Sequence, residues 1–233
     1  RNFYSPLKAC DPYLRYVFLT GITKFSQLSI FSELNNIENI SMDEPYAAIC
    51  GISEDEIRSQ MKEDVEGLAK KLEVTPEEAL MKLKENYDGY HFTYPSPDIY
   101  NPFSLLTAME KGKIGSYWFG SGTPTYLIKM LDKFGVVPSE IGKKKAAVED
   151  FDAPTERMTS IIPLLYQSGY ITIKDYDEEL DLYTLDIPNK EVRIGLMKSL
   201  LPYYVASKAP ETNTMVAYLS RDIRNGDIDA ALR

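Results

Sequence analysis

Histidine and tryptophan each occur once and cysteine twice in 233 residues. His91 cannot share a metal ion with other histidines, and Cys10 and Cys50 have neither zinc spacing nor the spacing of a redox pair. They read as two small, buried or half-buried thiols in a reducing compartment. No apolar run approaches the roughly 18 residues that a membrane span needs. The opening residues, Arg1-Asn2-Phe3-Tyr4, carry no signal-peptide pattern. They also lack an initiator methionine, which reads as a chain trimmed or cut from something longer. A cytoplasmic protein is expected. A basic surplus is missing as well: the formal net charge is -9. That balance repels nucleic-acid phosphates unless a local patch overrides it. The best basic run, Lys143-Lys144-Lys145, is short, is followed by Glu149 and Asp150, and reads as a solvated loop.

What is present is an ordinary globular composition, 44% hydrophobic and 26% charged, long enough for one or two domains. Arg15-Tyr16-Val17-Phe18-Leu19-Thr20-Gly21 reads as a buried strand opening into a loop, and Ile40-Ser41-Met42 as a second, short strand. Ser53 with Glu56 forms a capping box. Ile57, Met61, Val65, Leu68 and Leu72 then share a helical face. Thr75-Pro76-Glu77-Glu78 starts another helix, with Ala79, Leu80 and Leu83 on its apolar side. The two helices are expected to pack as an antiparallel pair. Asn86-Tyr87-Asp88-Gly89-Tyr90 ends the second, with Gly89 allowing a tight reversal and Tyr87, Tyr90 and Phe92 filling the core. Helices are expected through 103–109 and 124–131, and a linker after residue 142. Residues 155–205 read as helix, strand, acidic turn, strand, helix, the pattern of a winged helix. A further helix is expected over 214–224.

Three stretches together carry a resemblance. Phe18-Leu19-Thr20-Gly21-Ile22-Thr23-Lys24-Phe25-Ser26 is the first. Asn86-Tyr87-Asp88-Gly89-Tyr90-His91-Phe92, followed by Tyr100-Asn101-Pro102-Phe103-Ser104, is the second. Leu165-Tyr166-Gln167-Ser168-Gly169-Tyr170 with Ile187-Pro188-Asn189-Lys190-Glu191-Val192 is the third. In wording and order they resemble the bacterial AAA-ATPase-like family, P-loop ATPases often fused to a PD-(D/E)XK nuclease-like domain. The match runs over about residues 1–200 and covers only the C-terminal part of such a protein.

The resemblance implies a mostly α fold with small β elements (α+β). Residues 1–52 would be the remnant of a P-loop α/β core, 53–150 a helical lid, 155–205 a winged-helix module and 206–233 a helical linker. It implies that Thr20 is the sensor, where a hydroxyl at a strand end orders an attacking water beside the γ-phosphate. It places Thr23 and Lys24 near the phosphates, and Gly122 and Pro124 in the turn that packs on the adenine. The parent would use ATP and magnesium. Its partners for this chain would be the N-terminal ATPase half and the nuclease-like domain.

Two motifs are absent. No Gly-Lys is followed by Ser or Thr, so no phosphate loop cradles a triphosphate. No Asp or Glu has Lys two positions later, as a PD-(D/E)XK core requires. The chain alone is therefore expected to be inactive and to hold no cofactor. Asp43-Glu44 is no magnesium pair, because such a pair lies upstream of the sensor strand. Two other readings compete: a free-standing helical interaction module without nucleotide, and a DNA-binding winged helix. The second is opposed by five acids in the seven residues 175–181, on the element that would have to approach DNA. Neither a membrane nor a nucleic acid is an expected partner.

Overall fold

The structure is a computed structural model, and it describes residues 5–21, 38–119, 125–136, 141–155 and 158–204, with 214, 217 and 218 besides. Helices dominate, joined by two small antiparallel sheets, an α+β arrangement. A short helix α1 (Ser5–Cys10) and two single 3-10 turns, Asp11–Tyr13 and Glu44–Tyr46, lie at the N-terminal end. Among the described residues, no helix is long and apolar enough to cross a membrane.

Local chemistry sets the helix starts. Ser53 Oγ accepts from the Glu56 N–H, and the Glu56 carboxylate accepts from the Ser53 N–H at 2.8 Å, so the capping box closes as the sequence predicts. Thr75 and Glu78 repeat it at the next start, with Pro76 at the first helical position. The long helix expected after Ser53 is two: α2 (Glu54–Gln60) and α3 (Lys62–Leu72). Met61, at φ -120°, breaks the run, yet the apolar face continues across the break. Glu73 in the left-handed region ends α3, and α4 (Pro76–Tyr87) folds back onto it. Strand β1 (Ile52–Ser53) pairs antiparallel with β2 (Ile99–Tyr100), and α5 (Pro102–Lys111) follows, capped by the Asn101 side chain. Ile57, Leu68, Ala79, Leu83, Tyr87, Tyr100, Leu105 and Ala108 bury fully or nearly so in this helical core.

The second core lies on a three-stranded sheet. Its elements are α6 (Thr125–Lys133), β3 (Lys144–Ala146), α7 (Val148–Phe151), α8 (Ile162–Gln167), β4 (Thr172–Asp177), β5 (Leu182–Asp186) and α9 (Lys190–Tyr204). The strand order is β3-β5-β4, antiparallel throughout. Leu131, Ile141, Phe151, Leu165, Ile171, Ile173, Leu185, Val192 and Leu200 fill the space behind it.

Several sequence expectations change here. Lys144 and Lys145, read as loop, pair with Leu185 and Thr184 as strand. Their alternation buries Ala146 and leaves Lys145 on the outer side, where its ammonium meets Asp177. Ile40-Ser41-Met42 is a turn instead of a strand, because the Asn39 side chain accepts from the Ser41 N–H and hydroxyl. β4 carries Asp175 and Asp177, read from the sequence as part of the acidic turn, within the strand. Cys10 and Cys50 are exposed, not buried. Residues 15–21 form no strand, and Val17, Phe18 and Leu19 are exposed. A buried strand needs neighbours on both faces; among the described residues this segment has none in a sheet. The helix expected over 214–224 lies almost wholly outside the described residues.

Candidate functional site: the strap between two cores

The expected nucleotide residues do not assemble among the described residues. Thr20 is exposed on irregular backbone. Thr23, Lys24, Gly122 and Pro124 lie outside the described residues. One cavity of about 230 Å³, lined by Phe134, Val136 and Ile161 with Lys144, Thr159 and Ser160 as its polar groups, is smaller than ordinary ligand pockets. No group of three or more metal-binding side chains occurs among the described residues.

The buried polar chemistry concentrates instead at residues 86–101. Adjacent side chains in a strand point to opposite faces. In β2 that alternation sends Ile99 into the sheet core and Tyr100 into the helical core. The facing segment does the same, with Tyr87 in the helical core and Tyr90 in the sheet core. A Tyr90–Ile99 bridge, with both backbone hydrogen bonds at 3.2 Å, holds the two together. Residues 86–101 are thus a strap that partitions the molecule and belongs to both halves.

Hydrogen bonds fix the strap to the sheet half. The Asn189 side-chain amide donates to the Asp88 carbonyl at 3.0 Å, and Lys174 Nζ donates to the Gly89 carbonyl. Thr172 Oγ1 accepts from the His91 N–H at 2.8 Å and donates to the His91 carbonyl at 2.7 Å. The His91 ring lies between the Ile173 carbonyl (2.8 Å) and Asp98 (2.7 Å). Burial pulls the Lys174 ammonium below its ordinary pKa, against the pull of Asp98, Asp88 and Asp186. Gly89 sits at φ +91°, and a Cβ there would stand 2.7 Å from the Pro188 carbonyl oxygen.

Further links come from residues 113–119. The Tyr87 hydroxyl donates to the Gly115 carbonyl and accepts from the Gly115 N–H, and burial pushes it up to about 12. Glu191, at the start of α9 and buried, accepts from the Tyr117 and Phe119 N–H groups. The Trp118 N–H donates to Ser104 of α5. Phe119 then meets Trp118 and Tyr170 edge to face, and Trp118 and Tyr170 pack tilted to each other, with ring centroids 5.5 Å apart.

Two polar atoms stand apart. Asp88 Oδ1 and the Tyr100 hydroxyl are buried with no hydrogen-bond partner among the described residues. The Asp88 side chain is 4% exposed, and its other oxygen is 3.9 Å from Lys84 Nζ, which is held at 2.8 Å by Glu54. Desolvation pushes the Asp88 carboxyl up to about 6. Sequence reasoning singled out the segment as a signature but assigned Asp88 nothing. A lone Asp after a helix looks like a cap, and only tertiary burial sets it apart.

The acidic turn is ordered by its own contacts. Asp177 accepts from the Leu180 N–H and pairs with Lys145 at 3.3 Å, which together hold its carboxyl below the usual range. Asp181 accepts from the Tyr176 hydroxyl at 2.7 Å.

No family model matches the chain, and no solved structure matches it. A curated relative, described as an uncharacterized protein in the vnfD 5' region of Azotobacter chroococcum mcd 1, is 32% identical over 214 residues. The alignment covers 90% of this chain, and the chain spans 39% of the length of that relative.

Proposed function

We propose that the chain is the sensor, lid and winged-helix portion of a bacterial AAA-ATPase-like protein, coupling ATP binding and hydrolysis to domain motion without catalysing alone. The observation that carries this reading is the connectivity after residue 125, which starts the winged helix inside the stretch 53–150 expected as lid instead of at residue 155. It runs helix, strand, two short helices, strand, turn, strand, with the first strand paired to the last. A winged helix is wired in this order, and here it coincides with the third family-like signature. The helical core before it would be the lid, and the strap would make lid and winged helix move as one lever.

The exposed apolar residues Tyr16, Val17, Phe18 and Leu19 suit a strand that completes its sheet with the ATPase half preceding it in the parent. Thr20 would then reach the γ-phosphate of magnesium-bound ATP, with Thr23 and Lys24 beside it and Gly122 and Pro124 near the adenine. The relative's greater length leaves room for such a half and for a nuclease-like domain. The acidic turn favours a protein partner over DNA.

Thermal-shift and hydrolysis measurements with ATP and magnesium, on this chain and on the full-length gene product, test the reading. The full-length protein should bind and hydrolyse ATP and lose turnover on Thr20→Ala, while the chain alone does neither. A full-length protein that neither binds nor hydrolyses ATP would refute it, as would turnover by the chain alone that Thr20→Ala abolishes.

A further inference from the structure

The Asp88 carboxyl is placed badly for a charged group and well for a neutral one. Its backbone carbonyl is tied to Asn189, and the next carbonyl, of Gly89, to Lys174, so the residue sits on the joint itself. Its side chain is closed off from water, one oxygen has no partner among the described residues, and the carboxyl is left with the Gly89 N–H as donor and a distant cation, Lys84 at 3.9 Å. The ionisable groups around it are few. Lys84 comes from its own helix, Glu54 and Arg58 from α2, Asp98 and Tyr100 from the segment entering and forming β2, and Lys174 from β4. Glu54 and Asp98 repel a negative charge at Asp88, and Lys84 attracts it only weakly, because its ammonium bonds Glu54.

We propose that Asp88 is a proton-operated clamp on the joint: uncharged, it lets the strap close the helical core onto the sheet half, and ionised, it loosens that closure. A buried carboxylate with a single backbone donor and one unpartnered oxygen draws water or leaves its site, and leaving pulls on the carbonyls that Asn189 and Lys174 hold. A protonated carboxyl carries its own donor and no charge, so the strap rests closed. This clamp does not depend on the nucleotide reading, because every group in it belongs to this chain.

The direction follows from linkage. An unfolded aspartate titrates near 3.8 and the folded Asp88 near 6, so between these values the folded chain holds more protons. The Asp88 contribution to stability therefore rises as the pH falls through about 6 and levels off below 3.8. Relative to a variant that cannot ionise, the wild-type folding equilibrium should gain on the order of a hundredfold from pH 7.5 to pH 4.

The test is urea unfolding of the chain and of Asp88→Asn from pH 4 to 7.5. The expected result is that wild type loses stability relative to Asp88→Asn as the pH rises, the difference between the two profiles changing around pH 6. Parallel profiles overturn the proposal. Should Asp88→Asn not fold, carbon NMR titration of aspartate-labelled wild type decides. A carboxyl midpoint near 6, with His91 amide exchange slowing below it once corrected for intrinsic rates, supports the clamp. Midpoints all below about 5 overturn it, as does a midpoint near 6 with no change at His91.

Discussion

Replacing Gly89 with alanine separates backbone strain from contact at the strap. Its φ of +91° is unfavourable for any L side chain, by about 1–2 kcal/mol. The new Cβ would also stand 2.7 Å from the Pro188 carbonyl oxygen and 3.0 Å from Lys174 Nζ. Backbone cannot yield at 2.7 Å, so the strap has to shift, weakening the Asn189–Asp88 and Lys174–Gly89 bonds at about 1 kcal/mol each. The sum is roughly 3–4 kcal/mol, by adding those strain and bond terms. Gly135 is the control: its φ is +64°, and a Cβ there meets nothing within 4 Å, so Gly135→Ala carries the backbone term alone. Urea unfolding of both variants at one pH, with circular dichroism and tryptophan fluorescence as separate probes, gives the comparison. If Gly89→Ala falls within about 0.5 kcal/mol of Gly135→Ala, an ordinary surface-scale difference, the strap does not carry the joint.

Leu68→Ala should destabilise by roughly 2–5 kcal/mol, since Leu68 is fully buried in the helical core, while Met81→Ala, on the outer side of α4, should change little; equal effects in thermal unfolding would contradict the packing. In the acidic turn, Glu178→Ser with Glu179→Ser should leave the melting temperature unchanged, whereas Asp177→Ser should lower it at neutral pH. Because Asp177 titrates below the usual carboxylate range, its contribution is present above that range and fades as pH falls through its own value, so the Asp177→Ser deficit should vanish in acid. Duplex DNA should bind the chain more weakly than about 10⁻⁶ M at physiological salt, and a gel shift with sub-micromolar, sequence-dependent affinity would restore the DNA-binding reading.

Helix starts were legible because their determinants are local. Ser53 with Glu56 and Thr75 with Glu78 sit three residues apart, and each pair closes a hydrogen-bonded ring without help from distant chain. The apolar face of α2 and α3 was legible for the same reason, but the break at Met61 was not, since burial continues on both sides of it. β3 was missed because three lysines in a row look solvated. The strand exists only through its pairing with β5, some forty residues on in sequence. The run 15–21 errs in the opposite direction. Its residues suit a buried strand, but suitability gives no partner, and the described residues offer none.

The strap was visible in sequence as a cluster of aromatic and polar residues, and Tyr87 and Tyr90 do fill core as expected, with Phe92 partly buried against it. Its second property needs coordinates. Tyr87 and Tyr90 are three apart and Ile99 and Tyr100 adjacent, yet each pair is divided between two cores. A segment in that position cannot change its packing against one half without disturbing the other. Polar groups that would be a liability inside a single core become informative here, because Asn189, Lys174, Thr172 and Glu191 all reach across from the sheet half to backbone groups of the helical half or its loops. Backbone-directed bonds specify register, whereas apolar contacts tolerate sliding. The joint is therefore held in one arrangement by hydrogen bonds while the two cores supply the stability, and the carboxyl proposed to bias it, Asp88, is buried on the joint with one oxygen unpartnered among the described residues.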